Sequence, residues 1–464
     1  MASHGSPISP AIRTGGASLL TISIGLLLAV GIAVAAYRYP PPSLPFVLAG
    51  GTGLLGLTFL AIARYDWAVA LGIGLLGVVN VEPAPPDLVF AVVIAVAATT
   101  GRFDLDRVPL VIFAAIGSFV FLNLTSMIEA IDPWRAAMYF SITLYLAIFA
   151  LWMTSYLRSE RRARIVLIAY LTAAGLSAFL ALGALLAGFP GADQLVYAET
   201  RARGLFKDAN VFGPFLIPAV LLLLQETIKP RLLRLNLLFK LALIFLLTLG
   251  VVFSFSRAAW LNLGIGLIVT IGVLLIQRTP GPRMVIVVGL LALVGFGVGG
   301  LVIATGSDQF LNQRASLQGY DAERFGAQEA GIQTAEEHPL GAGPGQFEVV
   351  INYSAHSLYV RSFAEQGVLG LAVLVLMIGA TLLMAARNAL FDRSAYGLGS
   401  AALLGAWVGL IINSFFVDTL HWRHLWLVAA LIWVAAMRPR AEERPGPPSE
   451  PAPPARRAIG AGAA

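Results

Sequence analysis

The chain has no cysteine in 464 residues, only 12% charged residues and only five histidines. Absence of thiols excludes disulfides, iron–sulfur clusters and thiolate zinc sites. It also suits loops that face an oxidising compartment. So little charge in a chain that is 58% hydrophobic excludes a soluble globular protein. The net charge of +6 does not signal nucleic acid, because the basic residues lie in short connections between apolar runs rather than on a soluble domain.

What is present is a series of apolar runs from Ser18 to Met437, each about 20 residues long and able to cross a bilayer as a helix. They begin near Ser18, Leu44, Trp67, Asp87, Val108, Ala136, Ala163, Asn210, Asn236, Ala259, Arg283, Ser357, Ala395 and Arg423. The run from Ser18 to Ala36 exceeds the roughly 7–15 residues of a signal-peptide core, so it reads as an uncleaved first helix. The third and fourth runs are short and joined by Pro83-Ala84-Pro85-Pro86, which leaves two spans or one re-entrant hairpin open.

The expected fold is an all-α polytopic membrane protein of about 12–14 transmembrane helices, with one large periplasmic loop between the last-but-three and last-but-two spans. Its parts are a cytoplasmic N-terminal segment 1–17, transmembrane helices in 18–304, the loop 305–355, three more helices in 356–437 and a disordered tail 438–464. Orientation follows from the basic connections around Arg158 to Arg164, Lys229 to Arg234, Arg278 to Arg283, Arg387 to Arg393 and the tail from Arg438. These belong in the cytoplasm with both termini, which puts Thr305 to Ala355 on the far side. Arg201, Arg203, Arg257, Arg314, Arg324, Arg361 and Arg423 then lie on the outer side, against the bias. Some are snorkelling anchors. Binding an anion on the outer face is the simplest reason for the others.

Four stretches carry candidate chemistry. In Arg203-Gly204-Leu205-Phe206-Lys207-Asp208-Ala209-Asn210, glycine permits close backbone approach, and Asp208 or Asn210 can cap the next helix. Ser254-Phe255-Ser256-Arg257 is a tight turn that leaves Arg257 at the membrane boundary. Glu323-Arg324 starts a helical pattern through Glu337 that stops at His338-Pro339, where the histidine reads as structural. Gly341-Ala342-Gly343-Pro344-Gly345 follows as a turn cluster, and without a Gly-Lys-Ser/Thr ending it is no phosphate loop. Last comes His356-Ser357, nine residues, then Gly367-Val368-Leu369-Gly370, with Arg361 and Glu365 spaced to pair on one helix. Gly367 and Gly370 suit close helix packing.

Taken in this order, the motifs resemble the bacterial O-antigen ligase and polymerase superfamily, over roughly Arg203 to Trp433. The resemblance implies glycan transfer on the periplasmic face of the bacterial inner membrane, from undecaprenyl diphosphate to an acceptor hydroxyl, without metal or cofactor. It implies that His356 is the essential histidine and that Arg203 and Arg257 contact the donor diphosphate. Arg324 is a looser third match, and Asn210, Arg361 and Glu365 support the site. The implied partners are the undecaprenyl-diphosphate-linked glycan, membrane lipids, and an acceptor that is lipid A core or a growing polysaccharide.

The residue chemistry agrees. Guanidinium groups bind phosphate oxygens bidentately, and no Asp-x-Asp or carboxylate cluster in the outer loops offers a metal site, so arginines stabilise the leaving diphosphate. A neutral imidazole can take the acceptor proton, for roughly 10²–10⁴ in rate, and direct displacement inverts the anomeric centre. Polymerisation of O-antigen or exopolysaccharide is the alternative within the superfamily. A polysaccharide flippase is the alternative outside it, though it needs no large outer loop ending in histidine.

Overall fold

A backbone inside lipid must satisfy its own hydrogen bonds, and this chain does so with helices almost throughout. The computed structural model describes residues 44–437 except 82, 199, 279–280, 305 and 307–318. Its helices are α1 Leu44–Ala63, α2 Tyr65–Gly74, α3 Pro85–Thr99, α4 Leu110–Ser126, α5 Pro133–Tyr156, α6 Glu160–Leu186, α7 Ala209–Ile228, α8 Leu237–Phe253, α9 Arg257–Ile276 and α10 Gly281–Ala304. After these come α11 Gly319–Glu337, α12 Phe347–Ile351, α13 Leu358–Leu390, α14 Ser400–Asn413 and α15 Arg423–Met437. A two-residue hairpin, β1 Val196–Tyr197 with β2 Arg201–Ala202, precedes α7.

The protein is an all-α polytopic membrane protein. Thirteen of the expected apolar runs are helices, while the run from Ser18, the tail from Arg438 and Arg314 lie outside the described residues. By length and composition, six helices can cross a membrane among the described residues: α4 with its 3-10 extension, α5, α6, α7, α9 and α13. Shorter ones such as α14, with 14 residues, rise only about 21 Å at 1.5 Å per residue. They are tolerated because α14 and α15 are largely buried in the bundle, where their ends meet protein rather than lipid. Small residues let α14 lie against α9: a Cβ on Gly405 would stand 2.5 Å from the Gly266 carbonyl oxygen.

Contacts between connections define two ends of the bundle. At the basic end Arg161 and Arg162 pair with Asp66 at 2.7 and 3.4 Å, Arg164 donates to the Leu232 carbonyl, and Arg231 pairs with Asp392 at 3.0 Å. At the other end Arg423 grips Asp87, Asp132 N donates to Gln346 Oε1 at 2.8 Å, and Leu358 N donates to the Ser414 carbonyl at 2.9 Å. The α2–α3 pair runs between these ends: Asp66 starts it at the basic end, Val79 N donates to the Leu205 carbonyl at 2.8 Å at the opposite end, and α3 leads back. It therefore crosses the bundle twice, rather than re-entering from one face.

The sequence reading of Gly367 needs correction. This glycine does not merely permit packing; at φ 68° and ψ −172° it breaks α13 into a short segment, Leu358 to Gln366, and the long span after it. The glycine-rich turn fills the break. Ala342 N and Gly343 N donate to the Ala364 and Glu365 carbonyls at 2.9 and 3.0 Å, and a Cβ on Gly367 would fall 2.1 Å from the Pro339 oxygen.

Candidate active site around His356

The histidine sits one residue before the Ser357 cap of α13, whose hydroxyl accepts from Val360 N at 3.4 Å. Its backbone is left-handed, with φ 44°, a conformation that costs a non-glycine residue energy and that surrounding structure must impose. Gln328 of α11 supplies part of that restraint, donating to the Ala355 carbonyl at 3.3 Å and reaching the His356 carbonyl at 3.5 Å. The imidazole is half-buried, with the Tyr353 ring 5.8 Å away. Burial and then the Arg324 charge push its pKa below the usual histidine value, against an opposing pull from Asp208. The neutral, proton-accepting form is therefore favoured.

Below His356 lies an ion cluster. Arg361, 3% exposed, meets Glu365 at 2.8 Å, Asp418 at 2.7 Å and Glu348 at closer range. Arg135 of α5 reaches Glu348 at 2.9 Å and donates to the Gly345 carbonyl at 2.5 Å. Burial disfavours ionisation of Glu348, but the hydrogen bonds and charge of Arg361 outweigh it and hold the carboxyl below its usual range. One guanidinium thus ties α12, the start of α13 and the α14–α15 loop together. Arg324 adds a second tie to that loop by donating to the Phe416 carbonyl.

The remaining candidates lie on the α7 and α9 entries at the same end. Asp208 caps α7 by accepting from Asn210 N at 2.9 Å. Arg203 is half-buried, its Nη2 donating to the Gln194 carbonyl at 3.1 Å and its Nε sealed from solvent with no hydrogen-bond acceptor. Arg257 opens α9 directly after Ser256, whose hydroxyl accepts from Ala259 N at 3.4 Å. Asn210 serves neither of these arginines: it accepts from Arg201 Nη2 at 2.8 Å, while Arg201 Nε donates to the Ser254 carbonyl at 2.9 Å. Arg201, 5% exposed, is thus the strut that fixes the Arg203 loop to the turn carrying Arg257. In that turn Phe255 is left-handed at φ 47° and fully packed.

Residues 242–375 match the family model described as O-antigen ligase. Over this segment the chain is similar to the O-antigen ligase family. No curated protein matches it. The O-antigen ligase segment contains Arg257, Arg324, His356, Arg361 and Glu365, whereas Arg201, Arg203 and Asn210 precede it and Asp418 follows it. The protein is therefore a multi-pass membrane protein that contains a segment similar to O-antigen ligase.

The pairing of Arg361 with Glu365 in this O-antigen ligase domain follows from their spacing. Glu348, Asp418 and Arg135 do not stand out in the sequence, and Arg201 stands out only as one of several cations against the topological bias. Arg201 and Arg135 had a usable signal, a cation placed against the topological bias. Glu348 and Asp418 had none, because their partner lies 13 and 57 positions away. The loops at the His356 end do hold a carboxylate cluster, assembled only by folding, and Arg361 occupies its centre. Among the described residues no group of His, Asp or Glu is arranged to hold a metal ion. His338, by contrast, is partly exposed and stands 3.4 Å from Glu129, away from these ties.

Proposed function

We propose that this protein transfers a glycan from a polyprenyl diphosphate, undecaprenyl diphosphate in a bacterial inner membrane, to an acceptor hydroxyl at the periplasmic face, inverting the anomeric carbon. The observation that carries the reading is His356, held neutral beside Arg324 at the same end of the bundle as the Arg203 and Arg257 entries. His356 accepts the acceptor proton as the hydroxyl attacks. The diphosphate leaves as an anion, and arginines on the helix entries and α11 stabilise its charge. We favour a ligase over a polymerase on the His-Ser-x9-Gly-x-x-Gly spacing.

Arginine-to-lysine exchange tests the donor contacts. Lysine keeps the charge but loses the planar fork, so Arg203→Lys and Arg257→Lys lose most transfer in an assay with purified protein, lipid-linked donor and acceptor. Near-wild-type transfer by both would reduce these residues to snorkelling anchors. The same assay run in EDTA keeps its rate; strict dependence on a divalent metal contradicts the arginine-stabilised leaving group.

The orientation has its own test. An alkaline phosphatase fusion at Gln318 is active and one at the C-terminus inactive if Thr305 to Ala355 is extracytoplasmic. The reverse pattern removes the periplasmic site.

A further inference from the structure

At the basic end of the bundle, opposite His356, one cation stands out. Arg393, in the α13–α14 loop, is 9% exposed, yet its Nε is sealed from solvent without an acceptor. Among the described residues its guanidinium forms no hydrogen bond or ion pair. The two other arginines at least half-buried at this end are provided for: Arg158 donates to the Ser155 carbonyl at 2.7 Å and Arg162 to the Tyr156 carbonyl at 3.0 Å. A buried charge left unpaired is costly, and folded proteins supply a partner or let an outside anion supply it.

The neighbourhood describes that anion. The adjacent Asp392 carboxylate is shared by Arg231 at 3.0 Å and Lys229 at 3.7 Å, so cations exceed carboxylates around the loop. The Arg393 guanidinium lies 5.9 Å from the Phe391 ring centre, which is 53% exposed, and Leu390 beside it is 59% exposed. These apolar side chains stand where the α13 span ends, the depth at which a lipid headgroup meets its acyl chains. A planar, permanently charged guanidinium suits phosphate oxygens. We propose that Arg393 forms a binding site for the phosphate of an anionic phospholipid in the leaflet at the basic end.

Native mass spectrometry of the detergent-purified full chain tests it. Phosphatidylglycerol is expected to be retained at one copy per chain, about tenfold more tightly than phosphatidylcholine of equal chain length. Arg393→Gln abolishes that preference, and Arg393→Lys, which keeps the charge, retains part of it. Arg278→Gln, at an exposed arginine of the same end, leaves it intact. Unchanged glycan transfer by Arg393→Gln shows that the variant is folded. Equal loss in Arg278→Gln and Arg393→Gln means a diffuse basic surface and overturns the site, as does full retention in Arg393→Gln. Displacement of phosphatidylglycerol by millimolar inorganic phosphate would keep the phosphate chemistry but assign the site to a free anion.

Discussion

His356→Ala eliminates glycan transfer while leaving yield and thermal stability close to wild type. Loss of a general base costs roughly 10²–10⁴ in rate. The side chain is only half-buried and its fold restraints act through its backbone, so its removal leaves the packing largely undisturbed. His338→Ala, at a partly exposed residue, changes transfer little. The pH profile separates a base from a passive contact. Because burial and Arg324 lower the His356 pKa, the neutral form persists below the usual histidine range, and transfer falls only at pH below that lowered value. Arg324→Gln removes a nearby positive charge, raises the pKa and moves the acid limb upward. A His356→Ala variant with substantial transfer, or an Arg324→Gln profile with an unmoved acid limb, contradicts the base assignment.

Arg361→Met produces the largest loss of stability. It leaves Glu348, Glu365 and Asp418 facing one another, with Arg135 left to compensate at Glu348. Removing one partner of a buried pair costs about 3–5 kcal/mol. Arg361→Lys fails as well, since a single ammonium cannot present a fork to carboxylates on three sides. Thermal unfolding in detergent reads the loss, and a double-mutant cycle identifies its origin. Glu365→Gln in the Arg361→Met background recovers stability, because one uncompensated charge disappears. Strict additivity of the two changes means that the ion cluster does not act as a unit.

Much of this molecule was legible in its sequence. Apolar runs specify spanning helices because lipid permits little else, and arginines placed against the charge bias share the end of the bundle that holds His356. His338-Pro339 marks the end of α11 correctly, and Asp208 caps α7 as its residue type allows. What stayed hidden depends on tertiary approach. Nothing in Asp418 or Glu348 indicates that they converge on Arg361. Arg201 and Arg203 look interchangeable in a string, yet only Arg201 spans the distance to Ser254. The helix break at Gly367 is not legible either, because its positive φ arises from the glycine-rich turn lodged against it.

That break has a mechanical consequence. A transmembrane helix tilts when its apolar length and the bilayer thickness disagree. Were α13 continuous, its 33 residues would act as a lever, and any change in tilt would swing His356 across the substrates. With the rod interrupted at Gly367, the short segment carrying Arg361 and Glu365 belongs mechanically to the neighbouring loops, anchored by Asp418, Glu348 and the glycine-rich turn. The span can then follow the membrane while His356 keeps its position, and a series of bilayers of graded acyl length would read out that insulation directly.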